Sequence, residues 1–206
     1  MYFIRTPWII KKAFPYGIWD LPAKGREVYL TFDDGPHPGI TPFVLDQLSR
    51  YQAKATFFCI GKNVVNHPAT YQAILDNGHR VGNHTHNHLN GWKTSDNDYI
   101  TNIRQAATFI QSDLFRPPYG RIRKSQASAI ARAFPGMKIL LWNILSADFD
   151  IKLDAKQCVR NVLSYVKPGS VIVFHDSEKA YPRLQHCLPE VLKELSGSGF
   201  TFSAVP

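Results

Sequence analysis

The chain has 206 residues, of which 44% are hydrophobic, and a formal net charge of +8 at pH 7. This length suits a single domain with a sizeable buried core. The basic residues are scattered along the chain and form neither a dense arm nor a platform interleaved with aromatic residues. The charge pattern therefore favours solvated helix faces over a nucleic-acid-binding surface.

The three cysteines are Cys59, Cys158 and Cys187. They lie far apart and form no CxxC pair, so the sequence predicts buried thiols rather than a disulfide framework or a thiolate zinc site.

The N-terminal stretch MYFIRTPWIIKKAF is apolar but interrupted. Arg5, Pro7, Lys11 and Lys12 break it before it reaches the length of a signal-peptide core. No apolar segment is long enough to cross a membrane. These features predict a cytoplasmic protein without a transmembrane segment, with association with the cell envelope as the alternative, and they leave the oligomeric state open.

Strand and helix patterns alternate along the chain. Short β-branched and aromatic runs predict strands at 27–32, 54–60, 79–84, 113–115, 137–145, 170–176 and 200–205. Helical spacing of apolar residues predicts helices at 41–51, 68–77, 95–112, 125–134, 154–166 and 181–195, the first with Thr41 as N-cap and Pro42 in its first turn.

About seven β/α units in series imply parallel strands joined by right-handed crossovers. No glycine-rich phosphate fingerprint follows the first strand, and the strands are apolar along most of their length. The sequence therefore predicts an α/β barrel, closed or incomplete, rather than an open doubly wound sheet.

Chemically active side chains follow several predicted strands. In parallel α/β architectures, functional groups lie on the loops at the carboxyl ends of strands. The residues at these ends are Asp33, Asp34, His84, His86, His88, Arg116, Tyr119, Asp148, His175 and Asp176. Each group has a structural explanation when taken singly, such as a turn, a rigid loop or a hydrogen-bonded histidine, but together they indicate a hydrolytic site.

The segment NHTHNH carries three histidines at alternate positions. In a strand His84, His86 and His88 would share one face, whereas in a tight turn His84 and His88 would pair and His86 would point away. A short His-rich tract usually indicates metal binding. Two imidazoles and one carboxylate would satisfy a catalytic divalent metal, with Asp34 as a ligand and Asp33 as a general base.

Five motifs occur in a characteristic order: TFDDGP at 31–36, HTHNH at 84–88, RPPYG at 116–120, ADF at 147–149 and VFHD at 173–176. On these motifs the chain resembles the NodB-like polysaccharide deacetylases, carbohydrate esterase family four, from about Val28 to the last strand. The resemblance implies an α/β fold, a distorted and incomplete (β/α)7 barrel of parallel strands with outer helices. Residues 27–206 would be a single deacetylase domain, and residues 1–26 a leader packing on the barrel.

The resemblance also implies a divalent metal, zinc or alternatively cobalt or another transition metal. Its ligands would be Asp34, His84 and His88, because the family's His-Ser/Thr-any-any-His motif falls on the two outer histidines. His86 would then not bind the metal.

Catalytic roles follow from the same resemblance. Asp33 looks like the catalytic base, and Arg116 resembles the arginine that keeps the base ionised. The backbone N–H of Tyr119 would help to bind the oxyanion. His175 resembles the general acid, with Asp148 as its charge partner.

The chain departs from the family pattern at three positions. Leu145 and Phe149 stand where the family has aspartate and tryptophan, and Val173 stands where it usually has leucine. Further candidates near these loops are the sugar-stacking aromatics Trp92, Tyr119, Phe149 and Tyr181, and His37, which is read as a solvated loop residue.

The expected activity is metal-dependent removal of N-acetyl groups from N-acetylglucosamine-containing glycans, either chitin-type oligosaccharides or peptidoglycan, with release of acetate. One alternative is an O-acetyl esterase acting on a polysaccharide such as xylan. The other is a catalytically silent carbohydrate-binding protein, which would lack the base or the acid, whereas Asp33 and His175 are both present.

Overall fold

A computed structural model describes residues 2–206. The strands are β1 (Gly17–Ile18), β2 (Glu27–Asp33), β3 (Thr56–Cys59), β4 (Arg80–Asn83), β5 (Leu114–Phe115), β6 (Lys138–Leu140), β7 (Ile144–Leu145), β8 (Val171–His175) and β9 (Thr201–Phe202). The helices are α1 (Trp8–Ala13), α2 (Thr41–Ser49), α3 (Gly61–Asn66), α4 (Pro68–Asp76), α5 (Asp96–Ala107), α6 (Lys124–Ala133), α7 (Ala155–Leu163) and α8 (Tyr181–Gly197).

The strands form one curled, parallel sheet. Its order is β1-β6-β5-β4-β3-β2-β8-β7, and β9 pairs with the start of β2. The central strands are buried along almost their whole length because helices cover their outer face, as in parallel sheets generally. The predicted incomplete (β/α)7 barrel is confirmed.

The single strand predicted at 137–145 is wrong. The chain divides there into β6, which pairs with β5, and β7, which pairs with β8 at the other end of the sheet. Asn143 is the one polar residue in the break, and a single asparagine between two buried apolar halves is a weak signal for it. Trp142 lies in the break, with its ring 5.8 Å from the guanidinium of Arg116.

The N-terminal segment spans the gap between these two halves. The Leu145 N–H donates to the Ile4 carbonyl at 2.9 Å, and the Thr6 N–H donates to the Asn143 carbonyl at 3.0 Å. Further along, β1 pairs with β6. Residues before β2 are therefore hydrogen-bonded to both edges of the open barrel.

Helix bounds differ from the predictions at several points. Ile40, not Thr41, is the N-cap of α2, because the Thr41 hydroxyl is engaged with Asp176 at 2.5 Å. The short helix α3 was not predicted, and α5 and α7 end before the predicted 112 and 166. Their apolar spacing continues past the last helical turn, so periodicity alone overestimates their length.

The main hydrophobic core lies between the sheet and helices α2, α7 and α8. At its centre Phe32 of β2 stacks with Phe57 of β3 at 5.0 Å and with Phe174 of β8 at 5.8 Å between ring centroids. Replacement of one such buried ring by alanine costs about 3–5 kcal/mol of stability. This packing fixes the carboxyl ends of β2, β3 and β8 at one rim of the barrel.

Candidate active site

A cavity of about 400 Å³ opens at the rim formed by the carboxyl ends of the strands. Its lining includes Asp33, Asp34, His84, His88, Tyr119 and His175. Arg116 and Asp148 are fully buried behind this lining and contact it through ion pairs. The structure therefore brings to one place the eight residues to which the resemblance gives a metal-binding or catalytic role.

Asp34, His84 and His88 form a cluster that could hold a metal ion. One side-chain donor atom from each lies within 4.8 Å of the others. The Asp34 Oδ1 atom lies 3.1 Å from His88 Nε2 and 3.7 Å from His84 Nε2, yet it is buried without a well-formed hydrogen bond. His86 lies outside this cluster, with its ring 6.1 Å from that of Phe109.

The protonation states in this cluster suit a divalent cation. His84 Nδ1 lies 2.8 Å from the Arg116 carbonyl oxygen, so Nδ1 carries the proton and the lone pair of Nε2 faces Asp34. Burial lowers the pKa of His84 to about 4, which keeps the imidazole neutral. Two imidazoles and a carboxylate are a donor set typical of zinc.

The carboxylate of this cluster is ionised. Burial by itself raises the pKa of Asp34, but the nearby imidazoles of His88 and His175 bring it below the ordinary range. A neutral imidazole lone pair facing a carboxylate oxygen is unfavourable until a cation lies between them, so these donors fit a metal ion.

Unusual backbone geometry presents these side chains. Five non-glycine residues in the loops around the cavity have positive φ: Asp34 (81°), Thr85 (62°), His88 (55°), Tyr119 (61°) and Ala147 (62°). Such conformations are unfavourable and cluster at functional sites, where the surroundings impose them. The Asn83 side chain does so at Thr85 by accepting the Thr85 N–H at 2.9 Å.

Asp33 forms a buried ion pair with Arg116. Arg116 Nη1 lies 2.7 Å from Asp33 Oδ1 and also donates to the Thr31 hydroxyl at 2.7 Å. Its remaining donors bind the carbonyls of Leu140 and Leu141, and its guanidinium packs over a phenylalanine ring. Burial lowers the pKa of Arg116 and Asp33 opposes this, so the guanidinium stays charged and holds the Asp33 carboxylate in one orientation.

His175 is held by Asp148 through two contacts. Its Nδ1 lies 2.7 Å from Asp148 Oδ1, and its backbone N–H donates to Asp148 Oδ2 at 2.8 Å. Burial alone lowers the pKa of His175, but the charge and hydrogen bond of Asp148, with smaller contributions from Asp34 and Asp33, raise it to about 9. At neutral pH this imidazolium has a proton on Nε2 that is free to be donated.

A family model described as polysaccharide deacetylase matches residues 20–134, which is more than half of the chain. The chain belongs to the polysaccharide deacetylase family.

Curated relatives of this deacetylase are named for the deacetylation of peptidoglycan or of chitooligosaccharides. A peptidoglycan-N-acetylglucosamine deacetylase of Bacillus cereus is 33% identical over 196 residues, which cover 92% of this chain and 91% of the relative. A chitooligosaccharide deacetylase of Bradyrhizobium is 33% identical and covers 73% of this chain and 71% of the relative. The chain matches only 38% of the length of the peptidoglycan-N-acetylglucosamine deacetylase PgdA of Listeria monocytogenes.

Solved structures have the same fold. The Bc1960 peptidoglycan N-acetylglucosamine deacetylase is 29% identical, covers 98% of this chain and 95% of its own, and superposes with a TM-score of 0.84. The peptidoglycan deacetylase PdaC of Bacillus subtilis is 30% identical, with a TM-score of 0.77 over 87% of this chain and 88% of its own. Within residues 2–206 of the present deacetylase, no helix combines the length and the apolar character that a membrane span requires.

Asp176 has a structural role in this deacetylase that its position after His175 did not reveal. Its buried carboxylate accepts hydrogen bonds from the Gly35 N–H at 3.0 Å and from the Thr41 hydroxyl at 2.5 Å. A Cβ atom on Gly35 would lie 2.1 Å from Asp176 Oδ2, so only glycine allows this approach. The glycine of the DDGP motif is the one sequence signal for this anchor of the Asp33–Asp34 loop.

Other residues that line the cavity lie outside the five motifs or at positions where the chain departs from the family pattern. Four lining residues belong to none of the motifs, so the sequence did not predict them: Tyr2, Arg121, Trp142 and Lys179. Leu145, Phe149 and Val173 also line it, so apolar character is retained where the chain departs from the family pattern.

Three sequence candidates take other positions. Trp92 lies beside the cavity, under the guanidinium of Arg121. Tyr181 packs edge-on against Phe43, and His37 lies 3.3 Å from Glu178. Tyr181 therefore belongs to the packing of α8, and His37 to a solvated loop.

Proposed function

We propose that this deacetylase removes N-acetyl groups from N-acetylglucosamine-containing glycans with the help of a divalent metal held by Asp34, His84 and His88. The observation that carries the proposal is the convergence of these three donors within 4.8 Å beside the pairs Asp33–Arg116 and His175–Asp148. A metal bound there would supply a Lewis acid that polarises water and the acetamide carbonyl. The donor set favours zinc, with cobalt as the nearest alternative.

Asp33 acts in this proposal as the general base. The contact with Arg116 fixes the orientation of its carboxylate, which accepts a proton from the attacking water. The new carbon–oxygen bond forms at the acetamide carbonyl, and negative charge develops on the carbonyl oxygen.

The Tyr119 N–H supports the developing charge. The positive φ of Tyr119 turns its backbone away from the regular path, and the flanking N–H groups of Gly120 and Arg121 donate to Pro117 and Pro118. Among residues 2–206, no acceptor binds the Tyr119 N–H. A preorganised donor of this kind is worth about 3–4 kcal/mol to the transition state in acyl transfer.

His175 acts as the general acid. The carbon–nitrogen bond breaks only if the nitrogen receives a proton, because an amide anion is a very poor leaving group. His175 Nε2 donates that proton, and Asp148 holds the resulting imidazole through Nδ1. The products are acetate and a sugar amine.

The names of the relatives support peptidoglycan and chitin-type oligosaccharides as substrate classes. Peptidoglycan lies outside the cytoplasm, so we propose that activity on this substrate takes place at the cell envelope rather than in the cytoplasm. Cell fractionation with an antibody against the chain tests this assignment.

The decisive experiment measures acetate release from chito-oligosaccharides, peptidoglycan and acetyl-xylan, before and after metal removal by a chelator. We expect release from an N-acetylated glycan, loss of that release on chelation and recovery with added zinc or cobalt. Asp33→Asn should be inactive while still binding the metal. Unchanged activity after complete metal removal, or release from acetyl-xylan alone, would overturn the proposal.

A further inference from the structure

We propose that Arg121 and Trp92 form a subsite for a carboxylate-bearing sugar next to the sugar that is deacetylated. The inference rests on the proposed function and extends it to the class of glycan. The expected substrate is a peptide-free strand in which N-acetylglucosamine alternates with a sugar that carries a free carboxylate on an ether substituent.

Arg121 is a cation without an acidic partner. It lines the cavity that contains the metal cluster, and its guanidinium lies 5.2 Å from the centre of the Trp92 ring. Within the part of the chain that the structure describes, no carboxylate lies within ion-pair distance of it, whereas Arg116 pairs with Asp33 and Arg123 with Asp96. A guanidinium without an acidic partner can donate two parallel N–H hydrogen bonds to the carboxylate of a ligand.

Trp92 completes the chemistry of the subsite. Its side chain is 60% exposed although its Nε1–H donates to the Ile122 carbonyl at 3.3 Å, so the ring is fixed yet open to solvent. Aromatic faces pack against the apolar face of a pyranose ring. The pair therefore matches the two features of an acidic sugar, a C–H face and a carboxylate.

The loops that carry this pair are locked together. A Cβ atom on Gly91 would lie 2.4 Å from the Arg121 carbonyl oxygen, so the Trp92 turn and the Arg121 backbone are in direct contact. The buried Gln126 side chain donates to the Gly91 carbonyl at 2.8 Å and accepts the Arg123 N–H at 3.0 Å. Preorganisation of this kind lowers the entropic cost of binding.

The topology places the subsite to one side of the reacting centre. Trp92 follows β4 and Arg121 follows β5, while Asp34 follows β2 between those strands and β8. On the opposite side, Lys179 lies 5.8 Å from the Phe149 ring. The ammonium of Lys179 is a point charge on a flexible stem, whereas the planar guanidinium of Arg121 can bind both oxygens of a carboxylate, so Arg121 is the stronger carboxylate site of the two.

The charge of Arg121 also favours one polymer class over another. A chain that has already been deacetylated carries ammonium groups, which a guanidinium in the cleft repels. A strand with carboxylates at alternating sugars is attracted instead. The subsite would therefore favour acidic, sparsely deacetylated glycan over chitosan-like material.

The test compares peptidoglycan glycan strands that have been stripped of their peptides, so that their carboxylates are free, with the same strands after these carboxylates have been converted to neutral amides. The measured quantity is the ratio of kcat/KM values for acetate release from the acidic and the amidated strands. We expect a ratio above one for the wild-type protein and a fall of about five- to tenfold in Arg121→Gln, expressed mainly in KM and weakened by added salt. Trp92→Ala should raise KM for both strands, and Trp92→Phe should restore part of the loss.

Two matched variants remove the same charge elsewhere. Lys179 lies in the same cavity, and Lys179→Gln should lower the ratio by less than half as much as Arg121→Gln does. Lys193 lies on the exposed face of α8, and Lys193→Gln should leave the ratio unchanged. A wild-type ratio of one, or equal effects of Arg121→Gln and Lys179→Gln, would overturn the subsite. Acetate release from either strand still tests the deacetylase activity itself, so the two failures are distinguishable.

Discussion

Arg116 contacts two functional groups, one through its side chain and the other through its backbone. Its side chain binds Asp33 at 2.7 Å, and its backbone carbonyl oxygen lies 2.8 Å from His84 Nδ1. One residue thus orients both the proposed base and a proposed metal ligand. Because the second contact uses the backbone, a change of side chain can separate the two roles.

We predict that Arg116→Lys will lower kcat by about 100-fold or more while metal affinity changes by less than about threefold. A lysine cannot reproduce the donors that now reach Asp33, Thr31 and two backbone carbonyls, so the carboxylate loses its orientation. We also expect a loss of about 2–4 kcal/mol in unfolding free energy. Steady-state kinetics, metal titration and urea unfolding measure the three effects, and a parallel loss of metal affinity and kcat would contradict the separation.

The histidine segment gives a second prediction. His84→Ala and His88→Ala should each weaken zinc binding by about 100-fold or more, because each removes a ligand from the cluster with Asp34. His86→Ala should bind zinc as tightly as the wild-type chain, since His86 packs near Phe109 instead. Competition with a fluorescent zinc chelator measures the affinities, and equal losses in all three variants would contradict the assignment.

The same segment indicates how far a sequence predicts a site. Strand alternation makes all three histidines equal candidates for metal binding, and the resemblance to a family selects His84 and His88. The structure adds the physical cause, which is the positive φ of Thr85 and His88 that breaks the strand geometry after Asn83. Backbone strain of this kind is imposed by tertiary contacts, so local sequence patterns do not reveal it.

The barrel itself followed from the alternation of strand and helix patterns, but its open edge did not. The break between β6 and β7 lies inside a largely apolar run and is marked only by Asn143, and the chain that bridges it comes from residues 2–18, far away in sequence. Tyr2 illustrates the consequence, because it lines the cavity and packs edge-on against Phe149 at 5.3 Å. Contacts between residues so far apart in the chain form only in the folded protein, so no local sequence pattern predicts them.

The pH dependence of the reaction should report His175. Its pKa is raised to about 9 chiefly by Asp148 acting against burial, and the proposed acid is active only when protonated. We therefore expect kcat to fall as pH rises through about 9. Asp148→Asn removes the opposite charge, so the alkaline limb of the pH–rate profile should move down by about one to three pH units. An alkaline limb at the same pH in Asp148→Asn would show that another group controls it.

A final prediction concerns stability far from the cavity, at His79. This side chain is buried, and its Nδ1 accepts the Ala55 N–H at 3.2 Å, so it is neutral in the fold. Burial, with a smaller contribution from the charge of Lys54, lowers its pKa to about 4. The unfolded chain binds a proton near pH 6.5, so this contribution to stability is present above that pH and is lost as pH falls towards 4.

The loss from this histidine between pH 7 and pH 4.5 should be about 2–3 kcal/mol of unfolding free energy. His79→Asn keeps an acceptor near the Ala55 N–H but cannot take up a proton, so its unfolding free energy should fall less over the same range. Urea unfolding of both proteins at the two pH values measures how much unfolding free energy each one loses. Carboxylates common to both proteins contribute equally to these losses, so the difference between the losses reports His79. Parallel pH dependence in the two proteins would mean that His79 is protonated in the fold, and that its hydrogen bond to Ala55 does not hold it neutral.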